Sequence, residues 1–279
     1  MSFKSLEVSI ENYIAHVKLN RPNELNSMNT DFWKELPVAI NEIDSKAEAR
    51  VIVISSTGKH FSAGMDLAVF TSPNSIPMNG DPARMAENLR RAVLQLQQAF
   101  NVLEEVRIPV LVAIQGGCIG GAVDMVSACD SRYCTEDTFF TIKETQLGMT
   151  ADLGTLQRLP HLIPQGVMRE LAYTGRKFHA QEAKEIGLVN KVYPTQKAML
   201  EGVMVIAGEI AKQSPMAVAG CKEMINYSRD HSVADSLKYM ATWQSGMFRP
   251  QDMMKCFGAK AQKVDPDFEP LLPIKPLFS

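Results

Sequence analysis

Two continuous apolar runs constrain the fold of this chain more than any other feature. They are Val51–Ser55 (VIVIS) and Pro109–Ile114 (PVLVAI), and each leads into a loop of small residues. Runs of this kind are typical of buried strands. We therefore expect an α/β fold over roughly the first two thirds of the chain.

Weaker patterns predict helices and further strands around these runs. Alternating apolar residues indicate a hairpin that turns near Glu11 and Asn12, and Arg132–Ile142 is predicted as another strand. Helical spacing covers residues 31–43 and 83–106, although Pro37 interrupts the first of these segments. Other helices are predicted at residues 120–129, 156–162, 167–173, 180–186, 197–212 and 216–231, with one short strand at Leu188–Tyr193.

The chain is thus predicted to become mostly helical after Thr155, with a soft boundary near residues 194–197. We expect a core that carries the functional site at residues 1–195 and a helical region at residues 196–279. Residues 71–82 are rich in Pro, Ser, Asn and Gly, and they are expected to form a mobile loop.

Composition excludes several classes of protein. The 279 residues are 46% hydrophobic and carry a net charge of −2, which argues against nucleic acid or an acidic membrane as the main partner. No apolar run is long enough to span a bilayer, and no cleavable presequence is recognisable. The last residues, PLFS, are not a Ser-Lys-Leu peroxisomal signal. We therefore expect a cytoplasmic location.

The cysteines and histidines predict neither a disulfide framework nor a metal site. The five cysteines include no CxxC pair, and the five histidines are scattered without ligand spacing. This pattern is typical of buried free thiols in a reducing compartment.

The glycine-rich stretch QGGCIGGAVDMVSACD, Gln115–Asp130, follows the second apolar run. It lacks the Gly-Lys-Ser/Thr ending of a P-loop, and Cys118 occupies the second glycine position of a dinucleotide fingerprint. What remains is a strand, a glycine turn and a helix whose first N–H groups suit a developing negative charge. Alternatively, the glycines only permit tight packing of the strand against the helix.

The first apolar run leads into a similar loop, Ser62-Ala63-Gly64. Side chains this small allow a ligand to approach the backbone closely. Two such loops, each after a strand, can aim two N–H groups at one oxygen, and loss of one such donor typically costs about 3 kcal/mol. The alternative is a plain surface turn.

Three acidic residues follow these elements: Asp124 after the glycines, Glu144 after FFTIK, and Asp152 within TADLGT. Each has an explanation that needs no ligand. Asp124 favours a helix N-terminus, Glu144 suits a solvated strand end, and Asp152 or Thr155 can cap the helix predicted near Leu156. The residue types alone leave both interpretations open.

Taken together, these stretches resemble the crotonase (enoyl-CoA hydratase/isomerase) superfamily over roughly residues 6–262. The strings GGCIGGAVDMVSACDSRYC, KETQLGMTADLGTLQRLP and YSRDHSVADSLKYMATW are most similar to its dienoyl-CoA isomerase branch. The resemblance implies a spiral of repeated ββα units with two sheets, followed by a helical C-terminal oligomerisation region. It also implies homotrimers, commonly paired into homohexamers.

The resemblance further implies how an acyl-CoA thioester is held. On the matching positions, the backbone N–H groups of Ala63 and Gly121 bind the thioester oxygen. The substrate-binding stretch around the first of them comprises Gly64, Met65, Asp66 and Leu67.

The same resemblance implies a role for each of the three acidic residues. Hydratases of the superfamily are expected to have glutamates at the positions of Asp124 and Glu144 and a small residue, typically glycine, at that of Asp152. The Asp, Glu, Asp pattern implies an isomerase that converts 3,5-dienoyl-CoA to 2,4-dienoyl-CoA in β-oxidation. In this pattern Glu144 acts as the base at C2 and Asp152 as the acid at C6, and Asp124 adds negative charge to the site of proton transfer. Asp152 then requires a raised pKa.

This chemistry needs no metal or redox cofactor, since coenzyme A is part of the substrate. Two other functions remain open: 2-enoyl-CoA hydration by Glu144 with Asp124, and a non-catalytic scaffold or RNA-binding subunit of the same fold. The resemblance also makes a mitochondrial or peroxisomal location an alternative, although neither targeting signal is recognisable.

Overall fold

The computed structural model describes residues 3–71 and 80–275. Residues 72–79 of the predicted loop at 71–82, and the PLFS end, lie outside these ranges. The strands of the described residues are β1 (Leu6–Glu11), β2 (Ile14–Leu19), β3 (Val51–Ser56), β4 (Val110–Ile114), β5 (Gly117–Ile119), β6 (Ser131–Thr135), β7 (Phe139–Thr141), β8 (Phe178–His179) and β9 (Lys191–Tyr193).

These strands form two sheets. Within the described ranges, the main sheet has the order β1-β2-β3-β4-β6-β9 and the small sheet the order β5-β7-β8. The predicted hairpin is confirmed, because β1 pairs antiparallel with β2 from Leu6↔Leu19 to Glu11↔Ile14. From β2 onward the main sheet is parallel, with the two apolar runs as neighbours at its centre.

Helices cover the main sheet on both sides. Their bounds are α1 (Thr30–Lys46), α2 (Ala68–Thr71), α3 (Pro82–Glu105), α4 (Gly121–Ser127), α5 (Thr155–Arg158), α6 (Gln165–Thr174), α7 (Ala180–Glu185), α8 (Gln196–Ala211), α9 (Pro215–Asp230), α10 (Val233–Met247) and α11 (Pro250–Gln262). The expected change from α/β to mostly helical structure is therefore confirmed.

The continuous apolar character of β3 follows from burial on both faces. Ile52 and Ile54 belong to the core beneath α1 and α3, whereas Val51 and Val53 pack with residues of α8. A division of the chain at residue 195 stays a prediction, and α8 lies directly on the main sheet although it comes after that boundary.

Pro37 lies inside α1 without ending it. Proline within a helix removes one backbone hydrogen bond and costs about 3 kcal/mol. The buried face of α1, which includes Phe32, Leu36, Ile40 and Ile43, offsets this cost through apolar burial.

The prediction of one strand at 132–142 is wrong, because the chain changes sheets there. A turn separates β6 from β7: the Thr138 amide donates to Thr135 O at 3.0 Å, and its hydroxyl donates to Ile114 O at 3.0 Å. The chain makes a similar crossing between β4 and β5, through Gly116 at a φ of +57°. These two crossings bring the glycine-rich stretch beside the strand that precedes Glu144.

Three further expectations need correction. The helix predicted at 156–162 is α5 followed by a 3₁₀ turn at Leu159–His161, and the strand predicted at Leu188–Tyr193 is only β9. Among the free cysteines, Cys118, Cys129 and Cys134 are buried as expected, whereas Cys221 and Cys256 are exposed. In the described part of the chain, no helix is both long enough and apolar enough to cross a membrane.

Candidate active site

The two small-residue loops are joined by a short parallel bridge between Ser62 and Cys118. The Ser62 amide donates to Gly117 O at 3.1 Å, and the Ile119 amide donates back to Ser62 O at 3.2 Å. The loops after β3 and β4 therefore form one unit.

Gly64 allows the two loops to approach closely. Its φ is +83°, and a Cβ at this position would lie 2.4 Å from the backbone oxygen of Ile119. Any side chain here would both adopt an unfavourable backbone conformation and push the loops apart.

The structure corrects the expectation that the Ala63 amide binds the thioester oxygen. This amide donates to Leu25 O at 3.0 Å, and the Gly64 amide donates to Ser62 Oγ at 3.1 Å. Within residues 3–71 and 80–275, the amides of Met65 and Gly121 donate no hydrogen bond. A Cβ built on Gly121 would lie 3.8 Å from the Met65 nitrogen, so this pair of free donors is close together.

Asp66 anchors the first loop. Its carboxylate accepts from the Ala68 amide at 3.0 Å and from Ser27 Oγ at 2.9 Å, and it lies 3.6 Å from Arg21 Nη1. The Ala68 amide and the Ser27 hydroxyl hold the pKa of Asp66 below its ordinary value. The next residue, Leu67, is 72% exposed.

Asp124 lies in the first turn of α4 and is 1% exposed. Its Oδ1 accepts from the Thr155 amide at 2.7 Å, so it binds the N-terminus of α5 from outside that helix. Neither Asp152 nor Thr155 caps α5 with its side chain, because the N-cap is Gly154. Burial raises the pKa of Asp124 to about 6, and the nearby Asp152 charge adds to this effect.

Glu144 begins a 3₁₀ turn at Glu144–Leu147, shortly after β7. It is half-buried rather than a solvated strand end, and a Cβ at Gly120 would lie 3.0 Å from its Oε1. Its carboxyl group therefore lies beside the loop that carries the free Gly121 amide. Burial raises the pKa of Glu144 to about 7, with further contributions from the charges of Asp124 and Asp152.

Asp152 completes the group of acids. It is half-buried, burial raises its pKa, and its backbone oxygen accepts from Gln97 Nε2 at 2.7 Å. Since its charge raises the pKa of both Asp124 and Glu144, the three carboxyl groups lie near one another.

The arrangement combines two backbone donors with three acids, which suits proton transfer next to a carbonyl group. Sequence reasoning missed Met65 as a free donor, and it also missed Gln97 and Arg158 behind the acids. Only the glycine before Met65 signalled an unusual backbone at this point. In the ranges that the structure covers, no cluster of three His, Cys, Asp or Glu residues is arranged to hold a metal ion.

The sequence model of the Enoyl-CoA hydratase/isomerase family matches residues 9–270. The chain belongs to this family. A crystal structure of an enoyl-CoA hydratase from Bacillus anthracis has a TM-score of 0.86 and 31% identity, covering 95% of this chain and 99% of that one. The expected crotonase fold is thereby confirmed.

Individual relatives are closer in sequence. The chain is 46% identical to the human "Delta(3,5)-Delta(2,4)-dienoyl-CoA isomerase, mitochondrial" over 263 residues, which cover 94% of this chain and 80% of the relative. It is 42% identical to the "Delta(3,5)-Delta(2,4)-dienoyl-CoA isomerase, peroxisomal" of Arabidopsis thaliana, covering 97% and 99%. The resemblance to this branch is therefore confirmed. The names assign these two relatives to organelles and give no support to the cytoplasmic expectation.

Proposed function

We propose that this protein is a Δ3,5-Δ2,4-dienoyl-CoA isomerase of fatty-acid β-oxidation. The observation that carries the proposal is the third carboxyl group, Asp152, which lies near enough to Asp124 and Glu144 for its charge to raise the pKa of both. A proton shift along a conjugated chain needs a base at one end and an acid at the other, and these residues provide both. The identity to dienoyl-CoA isomerases across most of the chain supports the same function.

The thioester oxygen binds to the amides of Met65 and Gly121. Neither N–H group donates to any acceptor in the described part of the chain, the two lie close to each other, and Gly121 adds the positive end of the α4 dipole. Donors fixed before the substrate arrives stabilise the negative charge that develops on this oxygen. They make the C2 proton of the substrate more acidic.

Glu144 removes the C2 proton, and Asp152 delivers a proton to C6. The electron pair of the broken C2–H bond forms the C2=C3 bond, the C3=C4 bond moves to C4=C5, and the C5=C6 pair takes the new proton. C2 loses one hydrogen and C6 gains one, so the molecule undergoes no net oxidation or reduction and the step requires no redox cofactor. Glu144 must be ionised and Asp152 protonated when the substrate binds.

The raised pKa values bear directly on these roles. A pKa of about 7 makes Glu144 a stronger base than an ordinary carboxylate while leaving it partly ionised at neutral pH. Burial favours the protonated form of Asp152. The charge of Asp124 raises the pKa of Glu144 and so strengthens the base.

The first test is an absorbance assay with a 3,5-dienoyl-CoA, which follows the conjugated 2,4-dienoyl product. Glu144→Gln and Asp152→Asn should each lower kcat by about 10²–10⁴-fold, as expected for proton-transfer groups. Glu185→Gln, an exposed acid on α7, is the matched control and should keep full activity. Wild-type protein that forms no 2,4-dienoyl product would refute the proposal.

Hydration of a 2-enoyl-CoA is the second candidate, since the similar Bacillus anthracis structure is of an enoyl-CoA hydratase. Asp152→Gly separates the two functions: it should abolish isomerisation, whereas a hydratase that uses Glu144 and Asp124 would retain hydration. A non-catalytic RNA-binding role would instead require salt-dependent RNA affinity without turnover of any acyl-CoA.

We also propose that the chain assembles as a homotrimer or homohexamer through its C-terminal helices. Several large apolar side chains are exposed on α9, α10 and α11, among them Ile225, Val233, Leu237, Met254 and Phe257. Exposed apolar surface of this kind is typical of interaction sites. Light scattering should give three or six times the 30.9 kDa of one chain, and a monomer would refute the assembly.

The function also implies the compartment in which the protein acts. The mitochondrial and peroxisomal names of the two relatives support one of these organelles for this protein. Immunodetection in fractionated source cells should find the protein with an organelle marker, and recovery in the cytosolic fraction alone would contradict this.

A further inference from the structure

Side chains from other positions bind the backbone around Asp152 at three points. Gln97 Nε2 on α3 donates to Asp152 O at 2.7 Å, and Arg158 Nη1 on α5 donates to Leu153 O at 3.3 Å. The Thr155 amide donates to Asp124 Oδ1 at 2.7 Å. Together these bonds fix the segment at residues 152–155 and the point from which the Asp152 side chain projects.

Arg158 is itself held firmly. It is 9% exposed, its Nε donates to Glu104 Oε2 at 2.8 Å, and its Nη2 donates to Asn101 Oδ1 at 2.7 Å. The planar guanidinium group with several donors suits such a fixed position. Arg158 thus connects α3 to the segment that carries the predicted acid.

Gly154 makes room for this guanidinium group. A Cβ at Gly154 would lie 1.8 Å from Arg158 Nη1, and its φ is +131°. The side chain of Arg158 therefore occupies the space that any residue larger than glycine would need at position 154. The presence of glycine here and the position of Arg158 depend on each other.

A matched arginine offers a control. Arg229 on α9 pairs with the same carboxylate, Glu104, but has no hydrogen bond to residues 152–155 within the described chain. Arg158 and Arg229 both line an open cleft of about 640 Å³ between α3, α5 and α9. A small cation can therefore reach the space that either side chain leaves when it is truncated.

We propose that Arg158 and Gln97 are positioning residues that set the Asp152 carboxyl group relative to Glu144 and to C6 of the substrate. The inference rests on the proposed isomerase function. Neither residue touches the reacting atoms. Both bind the backbone of Asp152 or Leu153, and the charge of Arg158 also lowers the pKa of Asp124. A displacement of about 1 Å at a reacting group can cost about 10²-fold in rate.

The test separates proton removal at C2 from proton delivery at C6. Wild type, Arg158→Ala and Arg229→Ala are incubated with a 3,5-dienoyl-CoA in D₂O. Transposition is followed by absorbance, and deuterium at C2 of the recovered substrate by mass spectrometry. Removal of the C2 proton by Glu144, followed by return of a deuteron to C2, labels the substrate without moving its double bonds.

We expect Arg158→Ala to lower kcat for transposition by about 10²-fold, with KM within about twofold of wild type. The ratio of C2 exchange to transposition should rise, because Glu144 still removes the proton while Asp152 no longer delivers one efficiently. Arg229→Ala should keep the wild-type ratio. Added guanidinium ion at millimolar concentration should restore part of the kcat of Arg158→Ala through the open cleft.

Equal loss of exchange and transposition in Arg158→Ala would overturn the proposal, because that result indicates general damage to the site. Unchanged transposition would overturn it as well. Should Arg158→Ala fold poorly, Gln97→Leu removes a single hydrogen bond to the same segment and should raise the ratio in the same direction, with a loss in kcat of about 10-fold. An unchanged ratio in Gln97→Leu would also count against the proposal.

Failure of the isomerase function itself is distinguishable. In that case wild-type protein does not move the double bonds of a dienoyl-CoA. Amide hydrogen exchange still measures whether Arg158 holds the segment at residues 152–155. The Thr155 amide should exchange faster in Arg158→Ala than in Arg229→Ala, since Arg158 stabilises the segment that carries it. Equal exchange rates in the two variants would show that Arg158 does not hold this segment.

Discussion

Asp124→Asn should stabilise the fold while it impairs the chemistry. Burial raises the pKa of Asp124 from 3.8 to about 6. The native state therefore binds the proton more tightly than the unfolded chain does. The stability that comes from the protonated carboxyl group is fully present below about pH 3.8, and it is lost as the pH rises through about 6.

The loss can be worked out from these two pKa values. It is about 3 kcal/mol near pH 7.5 and roughly half as large near pH 5. Asparagine has no charge to bury, and its Oδ1 can still accept the Thr155 amide that Asp124 holds at 2.7 Å. The variant should therefore gain about 3 kcal/mol in unfolding free energy near pH 7.5, and clearly less near pH 5.

Urea unfolding at one protein concentration, at both pH values, measures this difference. The fixed concentration matters because assembly contributes to apparent stability. Asp267→Asn is the control, since this acid is exposed and its substitution should change little at either pH. A variant no more stable than wild type near pH 7.5, or a gain that does not shrink near pH 5, would refute the reasoning.

The same substitution should change the pH profile of the reaction. The charge of Asp124 helps to raise the pKa of Glu144, so its removal should lower that pKa. The acidic limb of kcat/KM should then move to lower pH while the maximum rate falls. A limb that stays in place would mean that the two carboxyl groups do not interact.

Three further predictions follow from the same geometry. The kcat/KM of wild type should rise with pH as Glu144, with a pKa of about 7, ionises, and it should fall at higher pH as Asp152 loses its proton; a flat profile from pH 5.5 to 8 would contradict this. Gly64→Ala should lower kcat by about 10²–10³-fold, because it separates the two donor loops, whereas Gly208→Ala, with nothing within 4 Å of the added Cβ, should leave kcat unchanged. Lys222→Met should destabilise the fold by about 1–3 kcal/mol in urea unfolding, because it leaves the backbone oxygens of Leu103 and Ile108 without the Lys222 Nζ donor and removes the ion pair with Asp130; a loss below about 1 kcal/mol would count against a structural role for Lys222.

Patterns of apolar residues predicted those strands that are long enough to show a regular spacing. The hairpin and the two apolar runs were recognisable because each strand carries its own periodicity. The crossings between the sheets were not, because the short strands β5 and β7 have too few residues to show a pattern. The break between β6 and β7 depends on the contact of Thr138 with a distant strand.

The candidate site was predicted in outline and corrected in detail. The family resemblance assigned acid–base roles to Asp124, Glu144 and Asp152, and the fold brings the three acids near one another. The choice of Ala63 over Met65 as donor was wrong, because the direction of an amide depends on backbone dihedrals that residue identity does not reveal. The pKa of Glu144 depends on burial and on neighbouring charges, which also lie outside local sequence.

The bridge between Ser62 and Cys118 has a consequence for how this site can change during evolution. Its hydrogen bonds join main-chain atoms only, so the placement of the two proposed donor amides should survive most replacements of the side chains around them. The proposed proton transfers depend instead on three side chains carried by other segments. Mutation can therefore redirect the reaction of a bound thioester without rebuilding the part that binds it, so that one inherited scaffold can serve several chemistries.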